Sequence, residues 1–597
     1  MTRKTRSAKT KAAGYTVADY LVQRLYEMGV RHLFSVPGDY VVPFLQVVDN
    51  DKRIQRIGNT NEMEAGYATD GYARIHGIGA VAVTYGVGAF SLLNTIAGAY
   101  VEKVPIVVIN GSPSTADRQQ DRDLGLMWHH MMLDGESRDL PIYEKVTAAA
   151  VQIDDPFRAT LNIDSVLSTC LTERQPVYLE MFEDMYAAPC EPPTRPLPNG
   201  SFPSDPTNLP NAVAAAAAKI KAAQQPFIWG GVEIQRLGLQ DEFEALLKQT
   251  GIPFTTSLEG KSIVSEDNPL FVGVFDGKSS NAAVTDLVAN ADCLIALGAW
   301  TTDINLLGIT GSESGGAKPW GDDEVSVLRG AARVGTGYFA QVELGDFITG
   351  LAQALQGYRA PALPKPAPAP PRPKPSASES LTFDNFFDRM NLFVDDSMVV
   401  VADIGFSVLG AMNIPIKVRS GFVAQAVWSS IGYAAPASMG VKYAMPNKRP
   451  VVFAGDGAFH MVCQTIGTMV ALKQNPIIFV MNNGIYGVEQ WLVNASVFQP
   501  PGHPKQVLAT NKLVRWEFSQ LPEVFGGGDG YKVRTLRELD EALKKIQRRS
   551  GQLALVDVRL PELSFPGNAA WKIDADSANT ARLKTPQIKR KARLNYD

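Results

Sequence analysis

The sequence predicts an α/β protein built from three domains, each a parallel sheet flanked by helices. Two observations carry the prediction. Apolar runs of strand length end in glycine-containing turns and lead into helix-compatible stretches, the alternation that builds parallel sheets. Two proline-rich stretches, at 189–210 and 358–379, divide the 597 residues into parts of domain size. Those parts are 15–188, 211–357 and 380–565, with a basic tail over 1–14 and a second tail over 566–597.

In the first part, the strand-like run 32–37 ends at Gly38-Asp39. Residues 61–74 follow as an amphipathic helix carrying Glu62 and Glu64, of which Glu64 suits a solvated surface better. The next strand, 81–86, turns through Gly86 and Gly88 into a helix and then the strand 105–110. A third glycine is missing, so this turn is not a dinucleotide fingerprint. A charged, helix-breaking stretch from Asp117 to Asp123 precedes Trp128 and the pair His129-His130. Adjacent histidines pointing apart, with no third ligand nearby, argue against a metal there.

The middle part reads as α/β from the strands 226–231 and 291–298, has no flavin fingerprint and is expected to be mainly structural. The third part repeats the design of the first. Its apolar run 450–454 ends in Gly455-Asp456-Gly457, and 24 helix-compatible residues (458–481, the last of them strand-like) lead to Asn482-Asn483. Ligands of open parallel sheets bind outside the carboxyl ends of the strands. One carboxylate and one amide oxygen are too few for a protein-only magnesium cage, but they suit Mg²⁺ bridging to a diphosphate. The glycines let backbone approach phosphate oxygens.

The bulk numbers exclude other classes. A formal net charge of −4 argues against general nucleic-acid binding. Cys170, Cys190, Cys293 and Cys463 are scattered, as buried thiols of a reducing compartment would be. The basic start has no apolar core and is not a secretory signal, and no run is long enough to span a membrane. A cytoplasmic protein is expected.

Together these residues resemble the thiamine-diphosphate (ThDP) enzymes, in their pyruvate/indolepyruvate decarboxylase branch. The carriers are Gly455-Asp456-Gly457 with Asn482-Asn483, Gly38-Asp39, Glu62 in its surroundings, His129-His130 and Tyr486-Gly487-Val488-Glu489. The match covers about residues 15–565. The resemblance implies the ThDP-binding fold, with a pyrimidine-binding first domain and a third domain holding diphosphate and Mg²⁺. It implies non-oxidative decarboxylation of a 2-oxo acid to an aldehyde and CO₂, through a ThDP ylide and an enamine. The cofactor would lie between the first domain of one subunit and the third of another, making a homodimer the minimum and a homotetramer the expected assembly.

Roles follow residue by residue from the same resemblance. No side chain can hold the electrons left by decarboxylation, and the thiazolium ring can. Glu62 would hydrogen-bond the aminopyrimidine, which in turn removes the thiazolium proton. Asp39, His129, His130 and Glu489 would handle the substrate carboxylate and protons. Asp456, Asn483 and the carbonyl of Ile485 would hold Mg²⁺. Gly86, Gly405, Phe406, Ser407, Ser429, Ile431, Gly455, Gly457, Ala458 and Tyr486 complete the expected cofactor contacts. Among these, Ile431 would bend the cofactor so that its amine reaches the thiazolium carbon.

Four positions depart from the family pattern. Ala458 replaces a serine, Ile485 replaces a glycine, and Phe406 stands where a hydroxyl is usual, with Ser407 as a stand-in one residue on. Val488 is smaller than the usual isoleucine, which points to branched or aromatic 2-oxo acids. Two other readings remain open: a carboligase forming 2-hydroxy ketones, and a non-catalytic homologue.

Overall fold

The computed structural model describes residues 14–130, 137–198, 202–309, 324–361, 376–499 and 506–573. Most of both tails and the centres of both proline-rich stretches lie outside the described residues. Three sheets form. The first contains β1 (His32–Ser35), β2 (Gln55–Gly58), β3 (Gly79–Thr84), β4 (Ile106–Ser112), β5 (Ala149–Ile153) and β6 (Val177–Phe182). Its order is β2-β1-β3-β4-β6-β5, all parallel.

The middle sheet contains β7 (Pro226–Gly230), β8 (Phe254–Ser257), β9 (Phe271–Phe275), β10 (Cys293–Leu297), β11 (Glu324–Leu328), β12 (Ala331–Val334) and β13 (Gly337–Ala340). It runs β13-β12-β11-β10-β7-β8-β9 and is parallel except for an antiparallel extension through β12 and β13. The third sheet contains β14 (Met398–Ala402), β15 (Phe422–Ala424), β16 (Arg449–Gly455), β17 (Ile477–Asn482), β18 (Asp529–Val533) and β19 (Ala554–Arg559). Its order, β15-β14-β16-β17-β19-β18, reproduces that of the first sheet position by position. The duplicated design read from the sequence is therefore present in the strand order.

The central strands are near-continuous apolar runs, with polar residues towards their carboxyl ends, because helices cover both faces. Every residue of β3, β4 and β17 is buried. Eight helices frame the site: α1 (Glu62–His76), α2 (Val87–Val101), α3 (Thr115–Leu124), α4 (Phe406–Ala411), α5 (Ala434–Ala444), α6 (Asp456–His460), α7 (Thr465–Ala471) and α8 (Gly487–Asn494). The stretch after Gly455-Asp456-Gly457, expected as one helix, divides into α6 and α7. The charged stretch 117–123, expected to break a helix, lies inside α3. Ser114 and Asp117 form a capping box at its start, and Gly125 ends it in a left-handed conformation.

Helices α1 and α5 join the first and third sheets backbone against backbone. A Cβ on Gly440 would lie 1.8 Å from the Ala68 carbonyl oxygen, and one on Gly71 would lie 2.3 Å from that of Ala437. The pairing 68 with 440 and 71 with 437 makes the two helices antiparallel. Their ends are locked by buried charge: Arg74 binds Asp70 at 2.5 Å and Glu102 at 2.7 Å, and the Tyr433 hydroxyl donates to Asp70.

Candidate active site

The carboxyl end of the first sheet gathers the proton-handling candidates. His129 Nε2 lies 2.9 Å from Asp39 Oδ2, with both side chains half-exposed. The His129 ring stacks on Tyr40, Tyr40 meets Tyr85 edge to face, and the Tyr85 hydroxyl donates to the His129 carbonyl. The expectation that the two histidines point apart is corrected. Their rings meet edge to face, 4.8 Å between centroids, because His130 takes a left-handed φ of 67° that folds the chain back. Gly86 makes room for this turn. Its own φ is +61°, and a Cβ there would lie 2.7 Å from the His130 carbonyl oxygen.

Glu62 is the first residue of α1, after the cap Asn61, whose side chain accepts from the Glu64 N–H. A Cβ on Gly88 would lie 3.5 Å from Glu62 Oε1, so the carboxyl overhangs the start of α2. Glu64 is not on the surface as expected but fully buried. Its Oε1 accepts from the Asn59 side chain and the Thr60 N–H, closing the loop before the helix.

The third sheet gathers the cation candidates. Asp456 is buried, with Oδ1 accepting from the Gly457 N–H at 3.0 Å and Oδ2 from the Gly484 N–H at 2.7 Å. Burial pushes its carboxyl up to about 6, against the opposing pull of those N–H groups and of Arg515. The Ile485 N–H points at Asn483 Oδ1 across 3.4 Å. The left-handed step of this loop falls on Gly484, at φ +79°. Isoleucine at 485 is therefore accommodated, and its side chain is buried in the core. Tyr486 packs over Gly457, where a Cβ would lie 2.3 Å from the tyrosine ring.

Ser429 has φ +58° and donates its hydroxyl to the Ala426 carbonyl, and Ile431 is half-buried two residues on. Gly405 opens α4 at φ +101°. The Phe406 side chain is a core residue among Phe383, Trp491 and Phe498. The Phe406 ring thus points into the core, and Ser407 is buried beside it. Ala458 is buried too, and Glu489 is exposed in the first turn of α8. Within the described residues, the structure brings Asp39 together with His129 and His130, and Asp456 together with Gly457, Asn483 and Ile485. No described contact of this chain joins Glu62 or the histidines to Asp456 or Glu489.

Several positioning residues escaped the sequence reading. Asp139 accepts from the Gly86 N–H at 2.7 Å, and burial lifts its carboxyl to about 6. Asp403 is fully buried and accepts from the N–H groups of Gly432 and Ala434 at 3.2 and 3.1 Å, holding the turn that follows Ile431. Glu102 accepts from the N–H groups of Val427 and Trp428, just before Ser429. The buried Thr84 hydroxyl, between Gly38 and Gly88, has no hydrogen-bond partner among the described residues. Asp403 had a sequence signal, since it ends the apolar run 398–402; Asp139 and Glu102 act across distances the sequence does not reveal.

Comparison with known families decides the kinship. Residues 15–136 match the thiamine pyrophosphate enzyme N-terminal TPP binding domain, 213–344 the central domain and 403–558 the C-terminal TPP binding domain. The chain belongs to the thiamine pyrophosphate enzyme family. It is 34% identical over 557 residues to the alpha-keto-acid decarboxylase of Mycobacterium avium (strain 104), covering 92% of this chain and 95% of that protein. The alpha-keto-acid decarboxylase of Mycobacterium leprae (strain TN) is 32% identical over 581 residues, 96% of this chain and 98% of its own. That of Mycobacterium tuberculosis (strain ATCC 25618 / H37Rv) is 34% identical over 557 residues, with coverages of 92% and 95%.

Thiamine pyrophosphate is thiamine diphosphate, and the site suits it. Space above Gly455 is open, so that a Cβ there would meet nothing within 4 Å, while Asp456 and Asn483 present hard oxygens beside it. No helix among the described residues is long and apolar enough to cross a membrane.

Proposed function

We propose that this thiamine pyrophosphate enzyme decarboxylates a 2-oxo acid, releasing CO₂ and the corresponding aldehyde. The observation that carries the proposal is the His129–Asp39 contact at the carboxyl end of the first sheet, a pair suited to moving a proton. Similarity to alpha-keto-acid decarboxylases along nearly the whole chain supports it.

When bound, the thiamine ring supplies the electron-accepting system that side chains lack. The protein's residues do the rest. The Glu62 carboxyl would hydrogen-bond the aminopyrimidine. Ser429 would offer its backbone carbonyl to the pyrimidine, and Ile431 would pack against the cofactor. Asp456, Asn483 and the Ile485 carbonyl would hold Mg²⁺ beside the diphosphate, a donor set of hard oxygens. His129, with its Nε2 proton oriented by Asp39, and His130 orient the substrate carboxylate and deliver a proton, and Glu489 assists that protonation. The space left by Val488 admits branched or aromatic side chains.

The site is completed by a second copy of the chain, so that Glu62 of one copy faces Asp456 of another in a homodimer, which pairs further into a homotetramer. Apolar side chains exposed near the two sets of turns support this: Val87 and Phe90 on α2, and Met461, Val514 and Trp516 near α6. Residues 15–188 would then hold the pyrimidine and 380–565 the diphosphate, with 211–357 structural between them. Four free cysteines accord with a cytoplasmic setting.

A panel of 2-oxo acids, assayed for CO₂ and aldehyde with and without ThDP and Mg²⁺, tests the proposal. Equal yields of CO₂ and aldehyde that require both additions are expected. Acyloin without free aldehyde would overturn it in favour of a carboligase.

A further inference from the structure

Beside the Asp456 turn stands a cation that neither the motif nor the catalytic scheme uses. Arg515 Nη2 donates to the Asn483 carbonyl oxygen at 2.6 Å. A Cβ on Gly484 would lie 2.5 Å from Arg515 Nε, so the guanidinium packs directly over the bare backbone of Gly484. Gly484 is the same residue whose N–H binds Asp456 Oδ2. Arg515 thus lies one residue's breadth from the carboxylate, near enough for its charge to act on it. Its side chain remains exposed and makes one described hydrogen bond, so most of its five donors remain available.

The segment facing Arg515 lacks positive charge of its own. Residues 455–459 carry one carboxylate and no cation, and Ala458 offers no hydroxyl. A diphosphate and Asp456 together carry more negative charge than one divalent cation neutralises. A planar fork of donors beside them matches phosphate oxygens in geometry as well as sign.

We propose that Arg515 is a diphosphate ligand, gripping the cofactor's phosphate oxygens from the Asn483–Gly484 side of the loop. The proposal rests on the diphosphate reading of Gly455–Ala458, and its test separates the two. Inorganic pyrophosphate binding is measured by calorimetry at saturating Mn²⁺, and Mn²⁺ binding alone by its electron paramagnetic resonance signal. Full-length wild type is compared with Arg515→Met and Arg515→Lys.

Arg515→Met is expected to weaken pyrophosphate about tenfold or more. Mn²⁺ alone should bind as well as before or more tightly, because a neighbouring positive charge is gone. Arg515→Lys, which keeps the charge without the fork, should fall between. A role confined to shaping the loop would weaken Mn²⁺ and pyrophosphate in step, which would overturn the proposal. Unchanged pyrophosphate affinity in Arg515→Met would overturn it as well. If wild type itself binds no pyrophosphate with Mn²⁺, the diphosphate reading fails and takes this proposal with it.

Discussion

His129 Nε2 and Asp39 Oδ2, ninety residues apart in the chain, meet at 2.9 Å beyond the carboxyl ends of β1 and β3. A carboxylate only accepts hydrogen bonds, so the contact suits a protonated Nε2 and sets the direction of the ring. Asp39→Asn keeps the shape and replaces the carboxylate that meets His129 with a neutral amide. A fall in kcat of about 10²-fold is expected, with ThDP affinity unchanged by calorimetry. Equal losses in kcat and cofactor affinity would assign Asp39 to cofactor binding instead.

Gly86→Ala tests the turn that carries the histidine pair. The new methyl would meet the His130 carbonyl oxygen at 2.7 Å in a left-handed backbone. Holding a residue other than glycine at φ +61°, ψ −103° alone costs about 1–3 kcal/mol. A lowered melting temperature together with a disproportionate loss of turnover is expected, since the displaced group is His130 itself.

Gly440→Ala tests the contact between α1 and α5. Its methyl would overlap the Ala68 carbonyl at 1.8 Å, and backbone cannot move aside as a side chain can. A loss of about 1–3 kcal/mol by chemical denaturation is expected. Wild-type stability in this variant would show that the helices do not approach so closely.

Asp403 sets a pH dependence whose sign can be worked out. Burial raises its carboxyl from 3.8 to about 7, against the N–H groups that favour the charged form. Between those values the folded protein holds a proton that the unfolded chain has released. Its contribution to stability is therefore full below pH 3.8, declines as pH rises, and is lost above about 7. Asp403→Asn removes this group, so the stability difference between wild type and variant should shift towards the variant as pH rises from 5 to 8, by up to one proton's linkage. A difference independent of pH would mean that Asp403 is ionised in the folded protein.

Much of this was legible in the sequence, for reasons that differ by residue. The strands at 81–84, 106–110, 451–454 and 477–481 are apolar on both faces, and glycine turns mark their ends, so the parallel sheets could be read directly. Asp456 and Asn483 stand at strand ends, where open sheets bind ligands. Glu64 was misplaced because two acids two residues apart on a helix give no sign of which is buried. The decision comes from Asn59 and Thr60, which turn back to meet it. The helix α3 was misread from its charged residues. Its stability rests on the Ser114 cap and on the buried ion pair of Arg118 with Glu180, a partner 62 residues away. Asp139 and Arg515 have no local signature, since each acts on a glycine loop from a distant part of the chain.

The most direct test of the central claim is Glu62→Gln, measured in parallel for 2-oxo-acid turnover and ThDP affinity. The carboxyl is needed to hold a proton and its amide isostere is not able to, so turnover should fall by about 10²–10⁴-fold while ThDP binds as in wild type. Turnover at the wild-type rate would contradict the account.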